Sequence, residues 1–268
     1  MNQHISLANY IPVSDNISIA WSNCFPALFD SLLINEESKL CLILNRKVCS
    51  SSMALVLSPR YEVAAKIMGE IAEARSVESS LEWLHGNYFL GLGFKSIRSI
   101  SGSDPIKVLI NNDFSFISAY RDPTDRLVSY YKAALDRKFV YGSFDDKVLV
   151  GTSFYNYFRV TSFFDFVHLV STDFDINSCD PHWISQSRIL PPFLPAIYLI
   201  NQAKFGEEID FVSNKLFGSV RSIKEVNVRN PSRHDFDSRV LSSQSLDFLR
   251  LEKNYLDSFY KSKNLLTL

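Results

Sequence analysis

A strand-to-helix turn at residues 114–131, FSFISAYRDPTDRLVSYY, constrains the fold more than any other stretch of the chain. Its apolar run, residues 114–120, has the length of a strand and stops at Arg121, after which Asp122 and Pro123 lead into a helical pattern. A strand that ends on an arginine and turns directly into a helix places positive charge where an anion can dock. The segment therefore predicts one strand–turn–helix unit of an α/β sheet, with an anion site at its end.

Apolar runs of strand length alternate with helical patterns along most of the chain. Strands are predicted at residues 39–44, 105–110, 114–120 and 195–200, and helices at residues 53–75 with a break at Pro59, 123–137, 154–170, 207–216 and 243–261. This alternation is typical of an α/β fold whose sheet is largely parallel and covered by helices on both faces. We therefore predict one α/β domain over residues 39–268 and make no assignment for residues 1–38.

The composition excludes several classes of protein. The 28 basic and 29 acidic residues give a net charge of −1, which argues against bulk electrostatic binding to nucleic acid. The four cysteines are scattered without a CxxC pair, so neither a disulfide framework nor a zinc site is expected. Neither a signal peptide nor a membrane-spanning run is evident, and the expected location is the cytoplasm.

A second turn with anion-binding chemistry follows the strand predicted at residues 39–44. It contains Arg46 and Lys47 and continues through Val48 and Cys49 to three serines, Ser50, Ser51 and Ser52. Lysine, serine hydroxyls and backbone N–H groups that lead into a helix can form a phosphate cradle. The segment is not a Walker A loop, because it contains no glycine. An ordinary strand-to-helix turn with a serine N-cap is the alternative interpretation.

The two turns considered together predict an anion-binding site more strongly than either turn does alone. By itself, Arg121 could form a surface ion pair with Asp125, and Arg126 could pair with Asp122. In a parallel sheet, however, ligands bind beyond the carboxyl ends of the strands, and both turns occupy that position. Two such turns at one sheet edge predict a ligand with two separated anionic groups.

The residues of both turns resemble the paired phosphate-binding motifs of sulfotransferases, most closely the carbohydrate and heparan-sulfate branch. The second motif of that family, roughly R-[DE]-P-x-x-R-L-x-S-x-Y, matches residues 121–131 at every specified position. The first motif, roughly P-K-x-x-x-T-[SN], is matched less closely, since Arg46 replaces proline and Ser51 replaces threonine. The resemblance implies a single P-loop-like sulfotransferase domain.

The resemblance extends beyond the two motifs, over residues 39–262. The segment DPHWISQ at residues 180–186 resembles the family's His-Trp segment, and Asn230 resembles the asparagine of a loop near its C-terminus. The helix predicted at residues 243–261 fits the family's terminal helix.

Sulfotransferases use 3′-phosphoadenosine 5′-phosphosulfate (PAPS), whose two anionic groups match the expected ligand. The resemblance implies that the first turn, Lys47 to Ser52, contacts the 5′-phosphosulfate and that Arg121 and Ser129 hold the 3′-phosphate. Lys47 would neutralise the negative charge that develops on the oxygen bridging phosphorus and sulfur as its bond to sulfur breaks. No metal is required by this chemistry.

Transfer also needs a base that removes the proton of the acceptor hydroxyl. Heparan 2-O-sulfotransferases carry a catalytic histidine in a similar His-Gly-x segment between the two motifs, which makes His85 the first candidate. His182 is the second candidate, while Asn87 could occupy the equivalent place and Glu82 is a carboxylate alternative. Trp83 and Trp183 lie next to candidate histidines and are therefore candidates for acceptor contact.

The predicted function is transfer of a sulfuryl group from PAPS to a hydroxyl, of a carbohydrate or glycolipid, by a bacterial-type cytoplasmic enzyme. One alternative is a non-catalytic descendant of the fold that binds nucleotide or glycan. Another is a nucleotide-dependent kinase, which the missing Walker glycines disfavour. The loops at residues 141–152 and 171–181 are expected to build the acceptor pocket. The sequence does not indicate an oligomeric state.

Overall fold

The structure is a computed structural model that describes residues 16–63, 89–131, 163–172, 182–194, 197–221 and 241–264. The strands are β1 Leu32–Asn35, β2 Leu40–Ile43, β3 Lys95–Ser96, β4 Ser115–Tyr120 and β5 Ile197–Asn201. The α-helices are α1 Ile17–Cys24, α2 Leu28–Ser31, α3 Ser50–Val56, α4 Pro105–Asn111, α5 with its described part at residues 123–131, α6 Phe163–Thr172, α7 Gln186–Ile189, α8 Phe205–Phe217 and α9 Ser243–Asn264. Two short 3₁₀ turns lie at Ile97–Ser99 and Gln202–Lys204.

The five strands form one mixed sheet in the order β3-β1-β2-β4-β5. The three strands β2, β4 and β5 run parallel, whereas β1 pairs antiparallel with both β2 and β3. The α/β class is therefore confirmed, but the expectation of a largely parallel sheet is only partly correct. The parallel half of the sheet carries both of the predicted anion-binding turns.

The antiparallel half follows from a short connection. Only residues 36–39 separate β1 from β2, and Lys39 takes a left-handed conformation with φ of 49°. A parallel pairing would need a crossover of about a dozen residues or more, so these strands can only form a hairpin. Residues 32–35, which lie in the segment without a sequence assignment, thus contribute a fully buried strand to the sheet.

One predicted strand is wrong. Residues 105–110, PIKVLI, begin the helix α4 rather than a strand. Asp104 caps this helix by accepting a hydrogen bond from the N–H of Lys107 at 3.1 Å, and Pro105 occupies the first turn, where its missing N–H costs nothing. A short apolar run is compatible with either element, and the cap decides in favour of the helix.

The remaining predicted elements that fall within the described ranges are confirmed, with shifted ends. The strands at residues 39–44, 114–120 and 195–200 correspond to β2, β4 and β5, and the helices at 207–216 and 243–261 correspond to α8 and α9. The first part of the helix predicted at residues 53–75 begins at Ser50 and ends at Val56, before Pro59, and residues 61–63 are helical again. Residues 64–75 lie outside the described ranges. The helices predicted at 123–137 and 154–170 are helical where described, as α5 and α6, and their other residues lie outside the described ranges.

Hydrophobic clusters cover both faces of the sheet. Alternate residues of β2 point to opposite sides, so Leu42 packs with α3 and α8 while Ile43 packs with α1, α4 and α9. A third cluster, built around Tyr131 and Trp183, joins α5, α6 and α9 beside the sheet. Among the described residues, no helix has both the length and the apolar character needed to cross a bilayer.

Candidate functional site

The two predicted turns meet at one edge of the sheet. Because β2 and β4 are parallel neighbours, with Ile43 opposite Ser118, the chain leaves both strands on the same side. The first loop is defined here as residues 44–49, which connect β2 to α3, and the second loop as residues 121–122, which connect β4 to α5. The side chain of Asn45 in the first loop donates to the carbonyl of Ala119 near the end of β4 at 3.0 Å. The expected juxtaposition of the two loops is confirmed.

The first loop has an unusual backbone for a segment without glycine. Lys47 and Cys49 both adopt left-handed conformations, with φ of 66° and 64°. For residues other than glycine this conformation costs about 1–2 kcal/mol each, and such outliers are concentrated at ligand-binding sites. The left-handed residues let the loop curl back toward β4 as the Walker glycines would, although the sequence contains none.

The predicted residues of the first loop divide into internal and accessible groups. The side chain of Val48 is fully buried, so only its backbone can meet a ligand. The hydroxyl of Ser50, also buried, donates to the carbonyl of Asn45 and closes the loop on itself. Ser51 and Ser52 are half-buried in the first turn of α3. Ser50 therefore shapes the loop, whereas the side chains of Ser51 and Ser52 remain partly exposed.

Lys47 and His182 approach the same aromatic side chain. The Lys47 ammonium lies 5.9 Å from the ring centroid of Tyr130 in α5, within the range of a cation–π contact. The His182 ring lies 5.4 Å from that of Tyr130, and the Trp183 ring lies 5.2 Å from it. Trp183 is buried, whereas His182 is half-buried. The structure thus brings the proposed transfer lysine and the second candidate base to one cluster.

The backbone of Arg121 is fixed while part of its side chain has no bond. The Arg121 N–H donates to Oε1 of Gln186 at 3.0 Å, and its carbonyl accepts from Nε2 of Gln186 at 2.8 Å. The Arg121 Nε is buried and has no hydrogen-bond partner among the described residues. A buried guanidinium donor without a partner destabilises the fold, and an anion bound between the two loops would satisfy it. The surface ion pair between Arg121 and Asp125, which the sequence spacing would allow, does not form among the described residues.

Cys49 is the last residue of the first loop, and its thiol lies close to Gln202, which follows β5. Burial raises the pKa of the Cys49 thiol, although a hydrogen bond from Gln202 and the positive charge of Arg121 act in the opposite direction. The thiol is therefore neutral at neutral pH and adds no negative charge to the site. The effect on this pKa places the charge of Arg121 within electrostatic range of Cys49.

The start of α5 is built from the residues of the second motif. Asp122 Oδ1 accepts from the N–H groups of Thr124 at 3.0 Å and Asp125 at 3.3 Å, which caps the helix, and Oδ2 lies 3.7 Å from the ammonium of Lys253. Ser129, two turns along, is half-buried, and its hydroxyl has no hydrogen-bond partner among the described residues. Within the described ranges, no protein group therefore uses the Ser129 hydroxyl.

Arg126 has a structural position that the sequence did not predict. It is 2% exposed rather than lying on the helix surface, and it donates to the carbonyls of Arg46 at 3.0 Å and Ile184 at 2.7 Å. It therefore joins α5 to the first loop and to the His-Trp segment. Its place in the second motif was the available signal for this role.

Three further buried residues were missed by the sequence analysis. Asn45 and Gln186 link the loops, and the N–H of Gln186 donates to Glu252 of α9. Burial raises the pKa of the Glu252 carboxyl, although the Arg126 guanidinium and the bonds from Gln186 lower it. Gln186 ends the quoted segment at residues 180–186, whereas nothing in the sequence distinguishes Glu252 from other charged residues of α9.

The first candidate base lies outside the described residues. His85 falls there with Asn87, Glu82, Trp83 and Asn230, as do the loop at residues 141–152 and most of that at 171–181. Within the described ranges, no group of three or more His, Cys, Asp and Glu side chains could hold a metal ion.

Comparisons of the chain with protein-family models, with curated proteins and with solved structures found no match.

Proposed function

We propose that this protein is a sulfotransferase that transfers the sulfuryl group of PAPS to a hydroxyl of a carbohydrate or glycolipid. The observation that carries the proposal is the pair of neighbouring loops at the ends of β2 and β4, together with the buried Arg121 Nε, which has no hydrogen-bond partner among the described residues. A ligand with two anionic groups can occupy both loops at once. The likeness of residues 121–131 to the sulfotransferase motif then supports PAPS as that ligand.

The residues present fit the two ends of PAPS. Arginine binds phosphate through a planar fork of donors, and the Ser129 hydroxyl would add a directional bond to the 3′-phosphate. Lys47 and the half-buried Ser51 and Ser52 would hold the 5′-phosphosulfate. The neutral Cys49 thiol fits a site for a strongly anionic ligand.

The proposed reaction is an in-line displacement at sulfur. The acceptor oxygen forms a bond to sulfur while the bond from sulfur to the bridging phosphate oxygen breaks, and Lys47 stabilises the charge on the departing oxygen. The acceptor proton passes to a base, leaving a sulfate ester and adenosine 3′,5′-bisphosphate. Among the described histidines, His182 is favoured because it shares the Tyr130 ring with Lys47. His85 is proposed on the family resemblance alone.

The proposal is tested by following labelled sulfate from PAPS to a panel of sugars, glycolipids and phenols. We expect transfer to at least one hydroxyl acceptor, and we expect Lys47→Ala to lower the rate about 100-fold or more. His182→Ala and His85→Ala are compared with His168→Ala, which changes an exposed histidine on α6. Loss of about 100-fold or more in only one variant, with nucleotide binding retained, would identify the base.

Transfer to no acceptor, despite tight binding of adenosine 3′,5′-bisphosphate, would instead establish a non-catalytic binding protein. Full activity of Lys47→Ala would show that the first loop has been assigned the wrong role.

A further inference from the structure

One buried amide side chain bonds to both anion-binding loops. Oε1 of Gln186 accepts from Nδ2 of Asn45 in the first loop at 2.9 Å and from the N–H of Arg121 in the second at 3.0 Å. Nε2 of Gln186 donates to the carbonyl of Arg121 at 2.8 Å. Because the amide is planar and both of its ends are engaged, these bonds fix the orientation of each loop relative to the other.

The rest of the fold holds Gln186 in place. Its side chain is fully buried, and its backbone N–H donates to Glu252 of the long helix α9. Asn45 donates a second bond from the same Nδ2 to the carbonyl of Ala119, next to the second loop. Because Gln186 is fully buried, a ligand bound by the two loops would contact Arg121 and the first loop rather than Gln186 itself.

We infer that Gln186 is a positioning residue that sets the spacing of the two loops and thereby gives the site its preference for a ligand with two anionic groups. When the two loops are already held at the right distance, a ligand that bridges them binds without the loss of conformational entropy needed to order them. A ligand that occupies only one loop gains little from this spacing. The identity of the ligand as a bisphosphate nucleotide rests on the proposed function, whereas the linkage of the loops does not.

The first test compares nucleotides that reach both loops or only one. Calorimetry measures the affinity of the wild type and of Gln186→Met, a substitution of similar size without an amide, for adenosine 3′,5′-bisphosphate, 3′-AMP and 5′-AMP. We expect the variant to lose about tenfold or more for the bisphosphate but less than about threefold for either monophosphate. Equal losses for all three nucleotides would overturn the inference.

Asn35→Leu is the matched control. Asn35 is also a buried amide, 6% exposed, and it donates to the carbonyl of Gly93 at 2.7 Å, at the end of the sheet opposite the loops. Its removal lowers stability without touching either loop, so the affinity ratio between bisphosphate and monophosphates should keep its wild-type value. A fall in that ratio equal to the fall in Gln186→Met would show that general destabilisation causes the effect, and would overturn the inference.

The second test, hydrogen exchange, needs no ligand. In Gln186→Met, the backbone amides of residues 45–49 and of Arg121, Asp122 and Thr124 should exchange together, about tenfold faster or more, while those of β1 keep their wild-type rates. Faster exchange confined to α7 would overturn the inference. Should Gln186→Met fail to fold, Asn45→Ala removes only the bonds from the first loop and should weaken protection of both loops in the same way.

The two tests separate this inference from the proposed function. If the wild type binds the bisphosphate no better than the monophosphates, the proposed sulfate donor is wrong. Exchange that still rises in both loops together would then support the role of Gln186 in spacing them, and exchange that rises in only one would overturn it.

Discussion

Two residues with left-handed backbone conformations set the shape of the first loop, and these conformations raise the energy of the folded state. Lys47 and Cys49 hold left-handed conformations that glycine would adopt more easily. The cost is offset by burial of Val48 and by the bond from Ser50 to Asn45, which together hold the curl of the loop. The loop therefore makes, with side-chain-bearing residues, a curled turn of the kind for which glycine is usually used.

Replacing Cys49 tests this strain directly. Because φ at this position is 64°, we expect Cys49→Gly to unfold at higher urea than Cys49→Ala, with a free energy of unfolding larger by about 1 kcal/mol. Both variants remove the same thiol, so the difference reports on the backbone alone. Ala54→Gly in α3 is the control, and there glycine should be less stable by about 1 kcal/mol or more. A less stable Cys49→Gly than Cys49→Ala would rule out left-handed strain at this position.

The sequence predicts the residues that face the cleft better than those that support it. Arg121 could be placed because the apolar run of β4 ends immediately before it. Gln186 and Glu252 could not be placed, since their roles depend on hydrogen bonds to residues distant in the chain. Patterns of polarity reveal which side chains reach solvent, but not which buried polar groups pair with one another.

At the level of elements, Asp104 joins the starts of two helices. Its carboxylate caps α4 through the N–H of Lys107 and also accepts from the N–H groups of Ile17 at 2.7 Å and Ser18 at 3.1 Å at the start of α1. The Ser18 hydroxyl adds a further bond. Although burial alone would raise the pKa of Asp104, the hydrogen bonds from Ser18, Lys107 and Ile17 lower it overall.

Because Asp104 caps α4 and also bonds to the start of α1, its removal should lower the free energy of unfolding more than the removal of an ordinary helix cap. We expect Asp104→Ala to lower the free energy of unfolding at pH 7 by about 2 kcal/mol, at the upper end of the range for a single cap. Because the folded pKa is lowered, the charged form stabilises the fold above the ordinary aspartate pKa, and this contribution is lost as pH falls through the folded value. The stability difference between the wild type and Asp104→Asn should therefore shrink when urea unfolding is repeated near pH 3.

Glu37→Ala, in the exposed turn between β1 and β2, is the control and should change stability by less than about 0.5 kcal/mol. An Asp104→Ala variant no less stable than Glu37→Ala would contradict the role assigned to the cap.

The Asp104 cap also explains why residues 105–110 were wrongly predicted to form a strand. The apolar run at residues 105–110 has strand composition, and only the Asp-Pro pair before it indicates a helix. The strand β1 was missed because the sequence around it carries no recognisable motif, although its four residues are all buried. Long periodic segments such as α8 and α9 were predicted well, since they are supported by many residues at once.

At the scale of the whole molecule, the fold brings three segments to one sheet edge. The first loop, the second loop and the His-Trp segment are far apart in the chain, yet Arg126 and Gln186 bond them into one unit. The order of the parallel strands makes this possible, and the antiparallel β1 and β3 extend the sheet away from the site. The α/β class and the parallel placement of the two turns could be predicted from the sequence, whereas the mixed sheet could not.

The proposed function requires that the two loops form one binding site for a nucleotide with two separated phosphates. Arg121→Ala removes the guanidinium with the unbonded Nε, and Arg98→Ala is its matched control because Arg98 is exposed and paired with Asp30. Arg98→Ala should bind nucleotides like the wild type.

Calorimetric titration of these proteins with adenosine 3′,5′-bisphosphate and with ATP–Mg²⁺ is the most direct test. We expect the wild type to bind the bisphosphate more tightly than ATP–Mg²⁺, and we expect Arg121→Ala to weaken bisphosphate binding about tenfold or more. Equal or tighter binding of ATP–Mg²⁺ by the wild type, or unchanged bisphosphate affinity in Arg121→Ala, would contradict it.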